Sequence, residues 1–230
     1  MIKTFLIVAS LQILLYSSQQ IILVVAKDFN SSKAFLECYE DKKSVCGILE
    51  VNLGKNGLGW GLSEITLQQK PNEPKKQEGD KKAPAGIFHL TSVFGDAAEL
   101  SLSMPYIYNK NMICVDDSNS NDYNKIIPMP INKPESFEKM SRDDHQYELG
   151  VVVAHNTRGV KNAGSCIFLH IAKSQDAPTA GCTSMTHKEI QHIVQWLDQE
   201  KNPLLVQIPR SSAKEVKKLF PQLKDSKLLN

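Results

Sequence analysis

The sequence predicts one mainly β domain with a few peripheral helices, an α+β chain. Three observations carry this. Short runs of β-branched and aromatic residues, bounded by Asn, Ser, Gly or Pro, recur along the chain. One segment near the C-terminus has a clear helical period. No internal repeat or linker sets off a second apolar core, and 230 residues fall within the reach of one large β domain. A composition of 41% hydrophobic and 23% charged residues can build a core and argues against a wholly disordered chain. The net charge of +2 gives no reason to expect nucleic acid as a partner.

The chain opens with Lys3, an apolar run from Thr4 to Tyr16, and then Ser17-Ser18-Gln19-Gln20. That pattern predicts a secretory signal peptide over residues 1–19, cleaved near Ser18 to Gln20. The run is shorter than the ~18 residues a membrane span needs. A second apolar stretch, Ile21 to Ala26, leaves an uncleaved anchor as the alternative, and only then a membrane association. Residues 20–230 are expected to form the single domain.

Strands are predicted in "QQIILVVAKDF", "AFLECYE" and "VCGILEVNLG". Four glycines between Gly54 and Gly61 mark a turn or a close backbone approach. They lack the Lys-Ser/Thr of a P-loop and the spacing of a dinucleotide fingerprint. Residues 68–83, polar and Lys-rich, read as a solvated loop. Pro84 and Gly86 mark a turn before a strand that carries His89. Asp116 and Asp117 lack an EF-hand pattern and are expected to order their loop. "PESFEKMSRDDHQYE" is compatible with a short helix. "LGVVVAHN" and "GSCIFLHIA" read as strands, the first ending at His155 and Asn156. In "THKEIQHIVQWLDQEKN", Thr186 and Glu189 form a capping box, and Ile190, Ile193, Val194 and Leu197 share one face. "LLVQI" is a closing strand and "SSAKEVKKLF" a basic helix.

Five cysteines, an odd number, leave at least one thiol over if the rest pair. Export places them where disulfides persist. One alternative is a set of incidental buried thiols. The other leaves Cys182 free and pairs Cys38, Cys46, Cys114 and Cys166. A Cys38–Cys46 bond would then close a short hairpin and a Cys114–Cys166 bond a long loop.

His170 and Cys182 lie at the two ends of one strand-and-loop segment. On an extended strand Cys166, Phe168 and His170 face one way. Cys166 and His170 are then roughly 13 Å apart, so Cys166 is a poor partner for that imidazole. Cys182 follows a loop that can fold back. A thiol near its ordinary pKa of ~8.5 is only slightly ionised at neutral pH. A neighbouring histidine can take its proton and later return it to a leaving amine. Gly181 permits close approach, the Cys182 N–H can contribute to an oxyanion hole, and the helix starting at Thr186 adds a modest favourable dipole. The competing interpretation is a packed histidine and an inert thiol. Zinc is disfavoured by the lack of C-x-x-C and H-E-x-x-H, and no cofactor or metal is expected.

At these residues the sequence resembles the L,D-transpeptidase catalytic domain, the YkuD or ErfK/YbiS type. "KKQEGDKKAPAGIFHLTSVFG" is similar to that family's Lys-x-Glu-Gly-Asp and Thr-Pro-x-Gly-x-Phe stretch, with Ala83 in place of the threonine. "CVDDSNSNDYNK", "VVVAHN" and "GSCIFLHIA…PTAGCTSM" follow in order, so the resemblance covers about residues 45–208. It implies a β-sandwich or barrel with Cys182 as nucleophile and His170 as base, then acid. The Ile171 carbonyl would orient the imidazole, and the Gly181 and Cys182 N–H groups would hold the oxyanion. It also implies peptidoglycan stem peptides as substrate. The acyl acceptor would be a second stem, an envelope-protein lysine or water, in the periplasm or cell envelope of a bacterium. An L,D-carboxypeptidase or other amide hydrolase, and a non-catalytic envelope-binding module, are the rivals. The commoner motif, Ser-His-Gly-Cys with an arginine two places on, is altered. Thr179 and Ala180 precede Gly181, and Ser184 stands at the arginine's place. His155, Asn156, Thr179, Ser184, Arg142 and Asp144 are the candidates for compensating substrate contacts or for structural hydrogen bonds.

Overall fold

The structure is a computed structural model that describes residues 19–230. The expected signal peptide lies outside the described residues, apart from Gln19. No helix among the described residues is long and apolar enough to cross a membrane.

In chain order the strands are β1 (Gln20–Ala26), β2 (Lys33–Glu40), β3 (Lys43–Asn52), β4 (Leu58–Trp60), β5 (Ala83–Gly95), β6 (Tyr106–Tyr108), β7 (Met112–Cys114), β8 (Ile126–Pro128), β9 (Glu138–Lys139), β10 (Leu149–Val153), β11 (Phe168–Ile171) and β12 (Thr183–Met185). Helix α1 (His187–Trp196), β13 (Leu204–Pro209) and α2 (Ala213–Leu219) complete the chain. The main sheet runs β10-β11-β12-β3-β2-β1-β13-β5-β4, with β6 beside β5. A further β10–β5 pairing joins its ends into a barrel. The mainly β fold with peripheral helices is as the sequence predicts.

The apolar runs explain the layout. All seven residues of β1 are buried, because it pairs antiparallel with β2 on one side and parallel with β13 on the other. Ile21, Ile22, Leu23 and Val24 are fully buried, each adding roughly 1.5–3 kcal/mol of burial free energy. Helix α1 closes one flank with Ile190, Ile193 and Val194, and the predicted Thr186–Glu189 capping box is present. The glycine-rich turn is a close approach. Gly57 has φ +78°, and a Cβ there would lie 2.0 Å from the Phe29 carbonyl oxygen.

Three expectations change. The strand expected from Ser165 begins only at Phe168, because Cys166, with φ +53°, adopts a left-handed turn and is not extended on the His170 face. Residues 134–148 form no helix; they hold the short strand β9 and turns, because Met140 and Tyr147 are drawn into a buried cluster. The 68–83 loop is also more than a solvated face, since Lys76 within it is buried.

A separate sheet, β8-β7-β9, lies off the barrel path. A second apolar cluster of Phe94, Cys114, Met140, Tyr147, Cys166, Phe168 and Cys182 links residues of this sheet's segment to barrel strands β5 and β11. A Cys114–Cys166 disulfide ties β7 to the turn before β11, and Cys38–Cys46 ties β2 to β3. Cys182 is the free thiol among the described cysteines.

Candidate active site

Strands β11 and β12 run parallel, with Leu169 opposite Thr183 and His170 opposite Ser184. This register brings Cys182, just before β12, beside Phe168. The Phe168 N–H donates to the Cys182 Sγ at 3.3 Å, and the thiol donates to the Cys166 carbonyl at 3.4 Å. Phe168 and His170 are two apart on β11 and share a face. The loop has folded back: Cys182 shares a buried cluster with Phe168 and Tyr147, and the Tyr147 ring also meets His170 at 5.3 Å between centres. The histidine and the cysteine share no hydrogen bond among those of the described residues; such contacts are often long before substrate binds.

His170 is 4% exposed, and its Nδ1 bonds the Ile171 carbonyl at 2.8 Å. A carbonyl only accepts, so Nδ1 carries the proton and Nε2 is the basic nitrogen. Burial pulls its pKa down to about 4, opposed by that carbonyl, so the ring is neutral at pH 7. The thiol is 7% exposed, and burial pushes its pKa up to about 12, with the Glu138 charge adding to the rise. Burial therefore outweighs the dipole of α1, and the resting pair is a neutral thiol beside a neutral imidazole.

The Gly181–Cys182 step is shaped by Thr179. Its Oγ1 donates to the Cys182 carbonyl at 2.6 Å and accepts from the Gly181 N–H at 3.1 Å. Lys76 lies alongside; a Cβ on Gly181 would sit 3.8 Å from its Nζ and 3.2 Å from the Lys82 carbonyl. The ammonium is held by Asp80 at 2.6 Å and by the Gln77 carbonyl at 2.7 Å. Glu78 accepts from the Tyr123 hydroxyl at 2.5 Å and the Ser165 hydroxyl at 2.6 Å, anchoring the loop to the segment before β11.

Other candidates take different places. Ser184 is buried on β12 and its hydroxyl has no hydrogen-bond partner among the described residues. His155 accepts from the Leu62 N–H at 3.2 Å through Nδ1 and bonds the Ala163 carbonyl at 2.9 Å through Nε2. The Asn156 side chain ties together Val160 and Gly164. Both are almost wholly buried, and these bonds order the loop ahead of β11. Arg142 pairs with Asp144 through Nε and Nη2 and lies over the Tyr147 ring, 4.8 Å from its centre. A cleft of about 420 Å³ is lined by Phe168 and Cys166 together with Ser92, Asn124 and Val152 among others. Tyr147, Glu138 and Lys76 surround Cys182, and the sequence reading did not assign them. Only Lys76 had a signal, its place in the Lys-x-Glu-Gly-Asp stretch.

The L,D-transpeptidase catalytic domain (YkuD) matches residues 22–208, most of the sequence. The chain belongs to this family. The match begins at Ile22, upstream of the motifs quoted from residue 45, and so takes in most of β1, all of β2 and most of the closing strand β13. No curated protein matches the chain. Among solved structures, the helical cell shape determining protein Pgp2 (K307A mutant) from Campylobacter jejuni matches at 14% identity with a TM-score of 0.38. That match covers 84% of this L,D-transpeptidase-family chain and 47% of the Pgp2 chain, so it spans about half of that protein's length.

Proposed function

We propose that this chain is an exported cysteine acyltransferase that acts on peptidoglycan stem peptides through an acyl-enzyme on Cys182. The observation that carries the proposal is that β11, which holds the neutral His170 imidazole, pairs with β12, which the free Cys182 thiol immediately precedes, in an L,D-transpeptidase-family domain. Two disulfides among the other four cysteines fit an oxidising compartment and support export.

With both groups neutral, the chemistry is general-base catalysis. His170 Nε2 takes the thiol proton as sulfur attacks the carbonyl of a meso-diaminopimelate–D-alanine bond. The Ile171 carbonyl, bonded to Nδ1–H, stabilises the imidazolium that forms. The Cys182 N–H is the nearest main-chain donor for the oxyanion. The Gly181 N–H joins it only by leaving Thr179 Oγ1. Imidazolium returns its proton to the leaving amine, D-alanine departs, and an amine of a second stem, a protein lysine or water resolves the thioester.

Intact-mass spectrometry after incubation with a carbapenem tests this. The expected result is one covalent adduct, absent in Cys182→Ala and formed about a hundredfold more slowly in His170→Ala. An adduct retained in Cys182→Ala would overturn the assignment of the nucleophile. Product analysis with stem peptides then separates a cross-linked dimer from a trimmed stem, the outcome of an L,D-carboxypeptidase.

A further inference from the structure

The wall of the thiol site is built from a side chain that no motif singles out. Tyr147 is 5% exposed and meets three rings edge-on: Phe94 and Phe168 at 5.6 Å and His170 at 5.3 Å between centres. Arg142, held by Asp144, covers the Tyr147 ring. The Tyr147 hydroxyl donates to Glu138 Oε2 at 2.6 Å. Packing alone does not call for this arrangement, because phenylalanine would fill the same space without a carboxylate beneath a buried cluster. The tyrosine also shares that cluster with Cys182. Its hydroxyl favours the ionised sulfur, whereas the Glu138 charge disfavours it.

We propose that Tyr147 is a positioning residue for the Cys182 reaction, its ring fixing the plane of the His170 imidazole and its Glu138-anchored hydroxyl polarising the thiol. The proposal rests on the reading of Cys182 as nucleophile and His170 as base. The hydroxyl has one proton. It goes to Glu138 while the thiol is neutral and becomes available to sulfur as charge develops there. Glu138 also faces Arg142, Asp116 and Glu78, and Cys182 faces Lys76, so the tyrosine acts within a mixed field rather than against one charge.

The test uses the full chain, with Tyr147→Phe, Glu138→Gln and Cys182→Ala beside wild type. Carbapenem acylation is resolved into a maximal rate and a half-saturating concentration, and Cys182 alkylation by iodoacetamide is followed against pH. Tyr147→Phe is expected to lower the maximal rate about tenfold or more, with half-saturation within about twofold. Its alkylation profile should move to higher pH. Glu138→Gln keeps an acceptor for the hydroxyl and removes the charge, so its profile should move to lower pH. These opposite shifts are what mere loosening of packing would not give. A Tyr147→Phe rate within about twofold of wild type, or a slower rate with both profiles unmoved, overturns the proposal. If Tyr147→Phe does not fold, Glu138→Gln is compared with Glu138→Leu, since both remove the charge and only glutamine keeps an acceptor for the hydroxyl: a maximal rate about tenfold lower in Glu138→Leu supports the proposal and equal rates remove it. An adduct that survives Cys182→Ala would instead remove the underlying assignment of the nucleophile.

Discussion

Ser184, expected from the motif at the place of an arginine, sits in an environment that suits a small side chain. It lies on β12 opposite both His170 and Asn52, buried, with a hydroxyl that has no partner among the described residues. A guanidinium could not be accommodated there without its own acceptors. A buried hydroxyl left unpaired costs stability, so Ser184→Ala is expected to leave the melting temperature unchanged or to stabilise by up to about 1 kcal/mol. A clear loss of stability would mean that the hydroxyl is engaged. Turnover that falls while stability holds would place it on the substrate. The thiol nearby makes a second prediction. Its pKa of about 12 leaves little thiolate, so iodoacetamide at pH 8 should modify Cys182 at least about a hundredfold more slowly than a free cysteine. Modification at an ordinary rate would mean that the site is open and the thiol solvated. Cys182 and His170 were legible in the sequence as a candidate pair, but their charge states were not, because desolvation depends on which side chains close over the loop.

At the scale of elements, what was legible is what has a period. The face of α1 and its capping box follow from spacing alone, and the buried strands β1 and β13 from unbroken apolar runs. The stretch 134–148 misled because its polar residues suit a helix, while tertiary packing draws Met140 and Tyr147 inward and leaves β9 paired with β7. Tyr147 was invisible for the same reason: it reaches Cys182 only through that packing. Lys76 shows the converse. In a run of lysines it reads as solvent-facing, yet its side chain is 4% exposed against Asp80 at 15%. Removing one partner of such a pair leaves a buried charge unmatched. Asp80→Ala should therefore destabilise by about 3 kcal/mol and slow acylation by loosening the Gly181 turn. Urea midpoints and carbapenem acylation rates measure the two effects. A stability change of only a few tenths of a kcal/mol would mean that Lys76 is solvated, as its composition suggests.

The candidate pair lies at a seam, where the barrel meets the three-stranded sheet and a disulfide holds the two together. Folding buries two histidines, His170 on β11 against Tyr147 and His155 in the loop ahead of β11 against Phe88. Burial pulls both pKa values down to about 4 from the ordinary 6.5. The unfolded chain therefore binds protons between pH 6.5 and 4 that the folded chain refuses, and stability must rise with pH across that window. The contribution is fully present above pH 6.5 and is lost as pH falls toward 4. Each histidine accounts for up to roughly 3 kcal/mol, a large share of a typical folding free energy. His145 works in the opposite sense, since Glu148 raises its pKa, but it is exposed and screened. Urea unfolding at pH 7.5, 5.5 and 4.5 should show the midpoint falling steadily, with acylation activity lost alongside the fold rather than before it. A midpoint flat across that range would mean that the folded protein protonates both imidazoles freely. The neutral-pair chemistry assigned to Cys182 and His170 would then give way to a solvated site.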